Sequence, residues 1–280
     1  MPSKAALITG CSSGIGHATA LLLVREGWTV YATARRPDTL SDLEAAGCKT
    51  LPLDVTDEAS MSAAVNAFIA AEGAVGVLIN NAGYSQSGAV ESVPLDQVRR
   101  QFETNVFGLI RMCQLVLPGM RDQHWGRIVN LSSMGGRLTF PGGGLYHGSK
   151  YAVEAISDAL RFEVQGFGVR VIVIEPGLIV TNFGETAAGS VGDWDGAGPY
   201  ADFNRDVARA IEDVYHGPLA KLGGGPEAVA KAIAGALNSE HPKTRYPVTV
   251  SAHVMINQRR LMPDRLWDRV MRTQFPVPKP

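Results

Sequence analysis

The sequence lacks the features of disulfide-rich, nucleic-acid-binding and membrane-spanning proteins. Its three cysteines, Cys11, Cys48 and Cys113, lie far apart, so neither a disulfide framework nor a Cys-x-x-Cys metal site is expected. Lysine and arginine total 26 against 27 aspartates and glutamates, which leaves no field of one sign to hold nucleic acid. No apolar run reaches the roughly 18 residues of a membrane helix, and Met1–Gly10 is too short for the apolar region of a secretory signal. We therefore expect a cytoplasmic protein in a reducing compartment, without a bound metal.

The rest of the composition is that of an ordinary globular protein with an excess of glycine. The chain has 280 residues, of which 45% are hydrophobic and 19% charged, so it can bury a core and is not expected to be disordered. This length suits one large domain or at most two, and we expect a single domain over residues 1–280. Glycine contributes 31 of the 280 residues, or about 11%, which is well above the average usage of about 7%.

Short apolar runs alternate with helix-forming segments over much of the chain. Runs of apolar and β-branched residues predict strands at Ala5–Ile8, Trp28–Ala34, Lys49–Leu53, Val75–Ile79, Gly126–Leu131 and Val169–Ile174. The segments between them predict helices at His17–Glu26, Glu58–Ala71, Leu95–Pro118 and Leu145–Gln165. Because parallel strands need long crossover connections, this order predicts a doubly wound parallel α/β sheet with helices on both faces.

A segment after the sixth strand interrupts this alternation and predicts a substrate lid over residues 183–217. Within it, Thr186–Pro199 is rich in glycine, alanine and serine and predicts a mobile loop. The lid also carries Trp194, Tyr200 and Phe203, and aromatic side chains on a lid suit an apolar ligand.

The C-terminal part, residues 226–280, predicts a helix, an edge strand and a tail. A helix begins at Pro226, a favoured first position, and Arg245–Val250 predicts a last strand whose Pro247 suits an edge. The tail Asn257–Phe275 mixes arginines with apolar residues. It predicts a helix docked by its apolar side, with binding to a membrane surface as the alternative.

A glycine-rich turn lies where the first predicted strand meets the first helix. Thr9–Gly16 reads TGCSSGIG, with glycines at Gly10, Gly14 and Gly16. The backbone N–H groups and the dipole at a helix start favour an anion, and glycines allow a pyrophosphate to approach closely. The spacing G-x-x-x-G-x-G differs from the G-x-G-x-x-G fingerprint, so this glycine turn by itself indicates only a phosphate site.

The end of the second strand favours one nicotinamide cofactor over the other. An NAD site has an acidic residue about 20 residues beyond the glycines to bind the ribose hydroxyls. This sequence has Ala34, Arg35 and Arg36 there. Guanidinium groups suit a 2′-phosphate, so we expect NADP(H) to be preferred over NAD(H).

A tyrosine and a lysine share one helix face in the segment YHGSK. Tyr146 and Lys150 are four residues apart, which places their Cβ atoms about 5–6 Å apart on a helix. A positive charge about 5 Å away at an effective dielectric constant near 20 favours the phenolate by about 3 kcal/mol. We therefore expect the pKa of the phenol to fall by about two units, which would make it a usable proton carrier near neutral pH.

Polar segments follow three further predicted strands. Ser132 and Ser133 end one strand, Asn80–Gly83 (NNAG) ends another, and Pro176–Thr181 (PGLIVT) follows the next. Open α/β sheets bind ligands at the carboxyl ends of their strands, so these segments are expected to form one site with the glycine turn.

Together these motifs resemble the short-chain dehydrogenase/reductase family over about Lys4–Phe183. The matching residues are TGCSSGIG, Asp54, Val55, NNAG, Asn105, Ser133, YHGSK and PGLIVT. The sequence also looks like the NADP-preferring branch that contains 17β-hydroxysteroid and retinol dehydrogenases. The resemblance implies a Rossmann-type fold and a homodimer or homotetramer.

The resemblance also implies a role for each motif residue. Tyr146 is the implied general acid/base, and Lys150 lowers its pKa and holds the nicotinamide ribose. Ser133 orients the substrate oxygen, and Asn105 orders a water that relays protons. The implied cofactor contacts, which also include Tyr146 and Lys150, are those of Gly10, Ser12, Ser13, Gly14, Ile15 and Gly16 with the phosphates, Arg35 and Arg36 with the 2′-phosphate, Asp54 and Val55 with adenine, Asn81, Ala82 and Gly83 near the adenine ribose, and Pro176, Gly177, Ile179 and Thr181 with the carboxamide.

The sequence thus predicts an NADP(H)-dependent oxidoreductase that interconverts an alcohol and a ketone or aldehyde on a small apolar substrate. Steroid, retinoid, fatty-acyl and aromatic carbonyl compounds all stay open. One alternative is an epimerase or dehydratase of the family's extended branch, although that branch has the spacing G-x-x-G-x-x-G and a larger C-terminal part. The other is a non-catalytic NADP(H) sensor, which would leave Ser133, Tyr146 and Lys150 unexplained.

Overall fold

A parallel seven-stranded sheet forms the centre of the protein. The computed structural model describes residues 4–192, 198–275 and 277–278. The strands are β1 (Ala5–Ile8), β2 (Thr29–Ala34), β3 (Lys49–Pro52), β4 (Val77–Asn80), β5 (Gly126–Leu131), β6 (Val169–Pro176) and β7 (Arg245–Val248). They pair in the order β3-β2-β1-β4-β5-β6-β7, with every pair parallel. The predicted doubly wound α/β fold is confirmed, and Pro247 does lie on an edge strand.

Helices cover both faces of the sheet. They are α1 (Gly14–Arg25), α2 (Ser41–Ala45), α3 (Glu58–Glu72), α4 (Leu95–Phe102), α5 (Gly108–Asp122), α6 (Gly144–Val164), α7 (Asn182–Gly189), α8 (Ala201–His216), α9 (Pro226–Asn238), α10 (Val250–Leu261) and α11 (Asp264–Gln274). Strand residues alternate between the two faces. Ala6 and Ile8 of β1 pack in a core with side chains of α1 and α9, whereas Ala5 and Leu7 pack with side chains of α3, α5 and α6. Burial on both faces explains why the strands read as nearly continuous apolar runs.

The long helix predicted over Leu95–Pro118 is interrupted and extends further than expected. A π-helical turn, Glu103–Phe107, separates α4 from α5, and α5 contains Pro118 in its interior. Met112, Val116 and Met120 of α5 are almost fully buried. Their packing offsets the hydrogen bond that the proline cannot donate, so the helix continues to Asp122.

Two predictions for the segments after β6 need correction. The mobile loop expected at Thr186–Pro199 is wrong for residues 186–189, which belong to α7, because Thr181 caps that helix by accepting a hydrogen bond from Phe183 N at 3.2 Å. Residues 193–197, including Trp194, lie outside the described residues. The single tail helix is instead two helices, α10 and α11, which meet at Pro263 because proline cannot continue a helix.

The apolar side of α11 packs against the segment that follows β5, which agrees with the predicted docking of the tail by its apolar side. Trp267 and Met271 of α11 are buried with Leu138 in one cluster. The Trp267 indole also donates a hydrogen bond to the Thr139 carbonyl oxygen at 3.3 Å. Within the described part of the chain, no helix combines the length and the apolar character that crossing a bilayer requires.

Candidate active site

One large cavity opens at the carboxyl ends of the central strands, where the strand order reverses between β1 and β4. Ligands bind at this position in open α/β sheets. The cavity has a volume of about 1340 Å³. It is lined by most of the predicted site residues, namely Gly10, Ser12, Ser13, Gly14, Ile15, Arg35, Asp54, Val55, Asn81, Ala82, Gly83, Ser133, Tyr146, Lys150, Pro176, Gly177, Ile179 and Thr181. Three predicted residues, Gly16, Arg36 and Asn105, are not in its wall.

The glycine turn leaves room for a ligand and presents free backbone donors. Gly10 and Gly14 have φ angles of +74° and +61°, a region that glycine adopts without strain. The Ser13 side chain makes no capping hydrogen bond at the start of α1, so it leaves the first N–H groups of the helix to another acceptor. The turn therefore fits a phosphate group at the helix start.

Asn81 stabilises the glycine turn from the neighbouring strand. Its side-chain amide donates hydrogen bonds to the carbonyl oxygens of Thr9 at 2.9 Å and Gly10 at 2.8 Å. A Cβ atom on Gly16 would overlap the Gly10 oxygen and lie 2.5 Å from Asn81 Nδ2. Gly16 thus acts behind the wall, by allowing α1, the turn and β4 to pack closely.

We expect Gly16→Ala to damage this packing. The added methyl group should lower the free energy of unfolding by about 1–3 kcal/mol. It should also weaken binding of the NADPH that the sequence predicts here at least tenfold, because the turn must shift. Urea unfolding and NADPH fluorescence titration measure the two effects. Gly235→Ala in α9 is the matched control, because a Cβ there meets nothing within 4 Å. Unchanged NADPH affinity in Gly16→Ala would show that the turn does not shape the cofactor site.

The two arginines after β2 differ in their relation to the cavity. Both are exposed, but Arg35 lines the cavity beside Ala34 while Arg36 does not. Arg36 instead begins the turn that follows, where its carbonyl oxygen accepts the Thr39 hydroxyl at 2.6 Å. Among the described residues, Arg35 forms no ion pair. Of these two arginines, Arg35 is therefore the one placed to meet an anion in the cavity.

Ser133, Tyr146 and Lys150 meet in the cavity wall. Ser133 Oγ accepts a hydrogen bond from Gly135 N at 3.0 Å, and the Ser133 hydroxyl acts to lower the pKa of the Tyr146 phenol. Lys150 Nζ lies 5.8 Å from the centre of the Tyr146 ring and donates to the Leu131 carbonyl oxygen at 2.8 Å. The hydroxyl, phenol and ammonium groups therefore form one polar group in a largely apolar cavity.

The predicted fall in the pKa of Tyr146 is wrong for this arrangement. Burial raises the pKa of the phenol above its usual value, the polar Ser133 side chain lowers it only in part, and Tyr215 raises it further. Burial also lowers the pKa of Lys150 to about 8, against the opposing charge of Glu154. The spacing of Tyr146 and Lys150 indicates one charge pair, but it carries no information about the desolvation of both groups. At neutral pH the phenol therefore keeps its proton.

Asn105 lies just behind the wall, within the π-helical turn. Its Nδ2 donates to the Tyr84 carbonyl oxygen and to Ser149 Oγ, both at 3.0 Å, and its Oδ1 accepts from Tyr84 N at 3.1 Å. A Cβ on Gly83 would lie 3.0 Å from Asn105 Oδ1 and 3.6 Å from Lys150 Nζ. Gly83 therefore lies between Asn105 and Lys150, and there is little room between these two side chains for a larger residue. The π-helical turn that carries Asn105 is of a kind that is frequent at functional sites.

Aromatic residues from the predicted lid reach the cavity, but they are not the ones expected. Phe183 and Tyr215 line it, and the Phe183 ring lies 5.5 Å from the Tyr146 ring. Tyr200 and Phe203 are not in the wall, and the Tyr200 hydroxyl donates to Glu91 at 2.7 Å. Aromatic content alone could not separate these residues, because the choice depends on the direction of α7 and α8.

Other cavity residues escaped the sequence analysis. Gln86 lines the wall and donates from Nε2 to the Ser190 carbonyl oxygen at 2.6 Å, which ties the segment after β4 to the end of α7. His147 also lines the wall. Its Nδ1 accepts from Phe140 N at 3.2 Å, and burial lowers its pKa to about 4. Asp54, by contrast, is one of the predicted site residues. It accepts hydrogen bonds from Thr56 N and Oγ1 at 2.9 and 2.8 Å, so its carboxylate stabilises its own turn.

Comparison with known proteins agrees with this geometry. A family model described as short chain dehydrogenase matches residues 4–189. The chain belongs to the short-chain dehydrogenase family. It is similar to an uncharacterized oxidoreductase, YbbO, of Escherichia coli strain K12, with 36% identity over 269 residues that cover 96% of this chain and 94% of YbbO. It is also similar to an NADPH-dependent 3-dehydrocapnine reductase of Ornithobacterium rhinotracheale, with 34% identity over 274 residues and 95% coverage of both proteins.

A solved structure extends the comparison. The closed form of serine dehydrogenase complexed with NADP⁺ superposes with a TM-score of 0.75 and 26% identity, covering 87% of this chain and 93% of that one. With the family match and the oxidoreductase relatives, this likeness shows a nicotinamide-dependent oxidoreductase.

Proposed function

We propose that this short-chain dehydrogenase is an NADPH-dependent reductase of apolar ketones or aldehydes, with the alcohol oxidation as its reverse reaction. The observation that carries the proposal is the continuous cavity of about 1340 Å³ that joins the glycine turn to Ser133, Tyr146 and Lys150. A dinucleotide at the glycine turn and a substrate oxygen at the tyrosine would both lie within it.

The cofactor preference rests on Arg35. Its exposed guanidinium lines the cavity beside Ala34, at the position where an NAD site would carry a carboxylate. A guanidinium group binds phosphate through parallel hydrogen bonds, and we assign it the 2′-phosphate of NADP(H). The names of two relatives, one NADPH-dependent and one complexed with NADP⁺, support this choice.

The remaining cofactor contacts follow from the wall. We assign the pyrophosphate to the glycine turn and the start of α1, the adenine to Asp54 and Val55, and the nicotinamide to the backbone of Pro176–Thr181. When bound, the nicotinamide supplies or accepts the hydride.

Tyr146 is the proposed acid/base. Because burial raises the pKa of its phenol, the group stays protonated at neutral pH and is ready to give a proton to a carbonyl oxygen. Ser133 lines the same cavity wall, and its hydroxyl would bind the same substrate oxygen. The Lys150 ammonium, anchored on the Leu131 carbonyl, would stabilise the negative charge that the phenol acquires. Asn105 would support proton relay to Lys150.

The substrate end of the cavity is apolar. Met134, Phe140, Phe183, Val214 and Met255 contribute to it, so desolvation favours a ligand with a sizeable apolar body. We regard residues 183–217 as a lid on one domain, residues 1–280. Steroid-, retinoid- and acyl-like carbonyl compounds are the candidate substrates.

A panel of such carbonyl compounds with NADPH tests the proposal. We expect one class of apolar carbonyl compound to cause loss of the near-ultraviolet absorbance of NADPH. We also expect kcat/KM for NADPH to be well above kcat/KM for NADH. An epimerase or dehydratase would give product without net NADPH oxidation. A sensor would bind NADPH and give neither, and either result would overturn the reductase assignment.

A further inference from the structure

A cluster of charged side chains, of which Glu154 and Glu175 are buried, lies beside the proposed catalytic helix but outside the cavity wall. This charge cluster consists of Arg137, Glu154, Asp158, Glu175 and Arg245. Arg245 contacts Glu154 Oε2 through Nε at 2.9 Å and Asp158 Oδ2 through Nη2 at 2.7 Å. Glu175 Oε1 lies 3.0 Å from Arg137 Nη1 and 3.4 Å from Arg245 Nε.

The cluster joins the segments that carry the site. Glu154 and Asp158 belong to α6. Glu175 lies near the end of β6, directly before Pro176, and Arg245 belongs to β7. Arg137 directly follows the turn that Ser133 begins. The contacts of the cluster therefore hold α6, the Ser133 turn and the end of β6 in one arrangement.

Glu154 is the member closest in sequence to the catalytic pair. Tyr146, Lys150 and Glu154 are spaced four residues apart, which puts all three on one face of α6. The Glu154 side chain is 7% exposed, and its Oε1 has no hydrogen-bond partner among the described residues. A buried carboxylate with an unpaired oxygen favours positive charge nearby, and it acts to raise the pKa of Lys150 against the larger effect of burial.

Three other charged groups lie around Glu154 among the described residues: Arg245, Glu175 and Asp158. Arg245 hydrogen-bonds it and thereby holds its side chain in place. Glu175 is a like charge, and burial together with Glu154 raises its pKa to about 7, opposed by Arg137 and Arg245. Arg245 holds the pKa of Asp158 below its usual range, so Asp158 stays ionised.

We propose that Glu154, clamped by Arg245 behind the catalytic pair, is a positioning residue that keeps the Lys150 ammonium charged at neutral pH. The inference rests on the proposed function, in which a charged Lys150 stabilises the ionised phenol. Glu154 itself touches neither substrate nor cofactor.

The titration of Lys150 tests this without cofactor or turnover. A lysine whose pKa is lower in the folded protein than in the unfolded chain binds fewer protons when folded, so stability rises with pH between the two values. The difference in free energy of unfolding between the Lys150 chain and Lys150→Met, measured by urea unfolding across pH, isolates this group. It should begin to rise at about pH 8.

In the Glu154→Gln background we expect that onset to move about one to two pH units lower, because a neighbouring negative charge is lost. Asp158→Asn is the matched control. It removes the other α6 carboxylate on Arg245, which lies a further turn from Lys150, and should leave the onset unchanged. Glu154→Asp keeps the charge and should restore the onset toward its original pH. If Glu154→Gln does not fold, Glu154→Met has a similar length and no polar group to desolvate.

The outcomes separate the two proposals. An onset unmoved in folded Glu154→Gln or Glu154→Met overturns the role of Glu154, whatever the activity shows. The alkaline limb of the kcat/KM profile for carbonyl reduction should shift with the onset. If the onset moves but Lys150→Met retains full turnover, the role of Glu154 in the charge of Lys150 stands while the proposed function fails.

Discussion

Replacing Tyr146 with phenylalanine is expected to lower kcat for carbonyl reduction by about 10²–10⁴-fold, the usual contribution of a general acid. The change removes one hydroxyl group, and the ring keeps its packing against Phe183. Without the phenol, only Ser133 remains to hydrogen-bond the substrate oxygen, and its proton is far less available. Affinity for NADPH should stay within a few-fold, because the glycine turn and Arg35 are untouched.

Tyr151→Phe is the control for this change. Tyr151 lies on the same helix, is 43% exposed and does not line the cavity, so kcat should be unchanged. Single-turnover measurement of NADPH oxidation separates the chemical step from product release. Substantial turnover by Tyr146→Phe would show that another group protonates the substrate and that the tyrosine has only a packing role.

The convergence of the site could be predicted from the sequence because it follows from topology. In a parallel sheet all carboxyl ends lie on one edge, so Gly10, Asn81, Ser133 and Pro176 needed only the correct strand assignment to be placed together. The apolar runs of β1, β4, β5 and β6 gave that assignment, since each is buried on both faces. The role of the glycine turn could also be predicted, because a glycine-rich turn at a strand-to-helix junction has few uses other than leaving room for a ligand.

What the sequence could not provide depends on tertiary packing. Pro118 looked like a helix end, yet the burial of Met112 and Met120 keeps α5 continuous. The sign of the pKa change at Tyr146 was missed because desolvation depends on neighbours from β5, α7 and α8. The four-residue spacing of Tyr146 and Lys150 gives no information about these neighbours.

The distinction between Arg35 and Arg36 is a further case, and it leads to the second large prediction. The dipeptide offers two equivalent guanidinium groups, but only Arg35 lines the cavity. Arg35→Ala should lower kcat/KM with NADPH by about 10–100-fold, because charge-assisted hydrogen bonds contribute roughly 1.5–3 kcal/mol each and about 1.4 kcal/mol is tenfold. Arg36→Ala, the matched control, should have little effect.

Adding Ala34→Asp to Arg35→Ala should then reverse the cofactor preference. Ala34 ends β2, is 6% exposed and lines the cavity, so a carboxylate there would face the adenine ribose. It would accept hydrogen bonds from the two hydroxyls of NADH and repel the 2′-phosphate of NADPH. We expect the ratio of kcat/KM for NADPH over NADH to fall by about 10²–10³-fold in the double variant, measured with one carbonyl substrate at fixed ionic strength. If Arg36→Ala weakens NADPH use as much as Arg35→Ala does, the 2′-phosphate binds outside the cavity wall; if neither variant changes the ratio, the preference for NADP(H) has no basis in these residues.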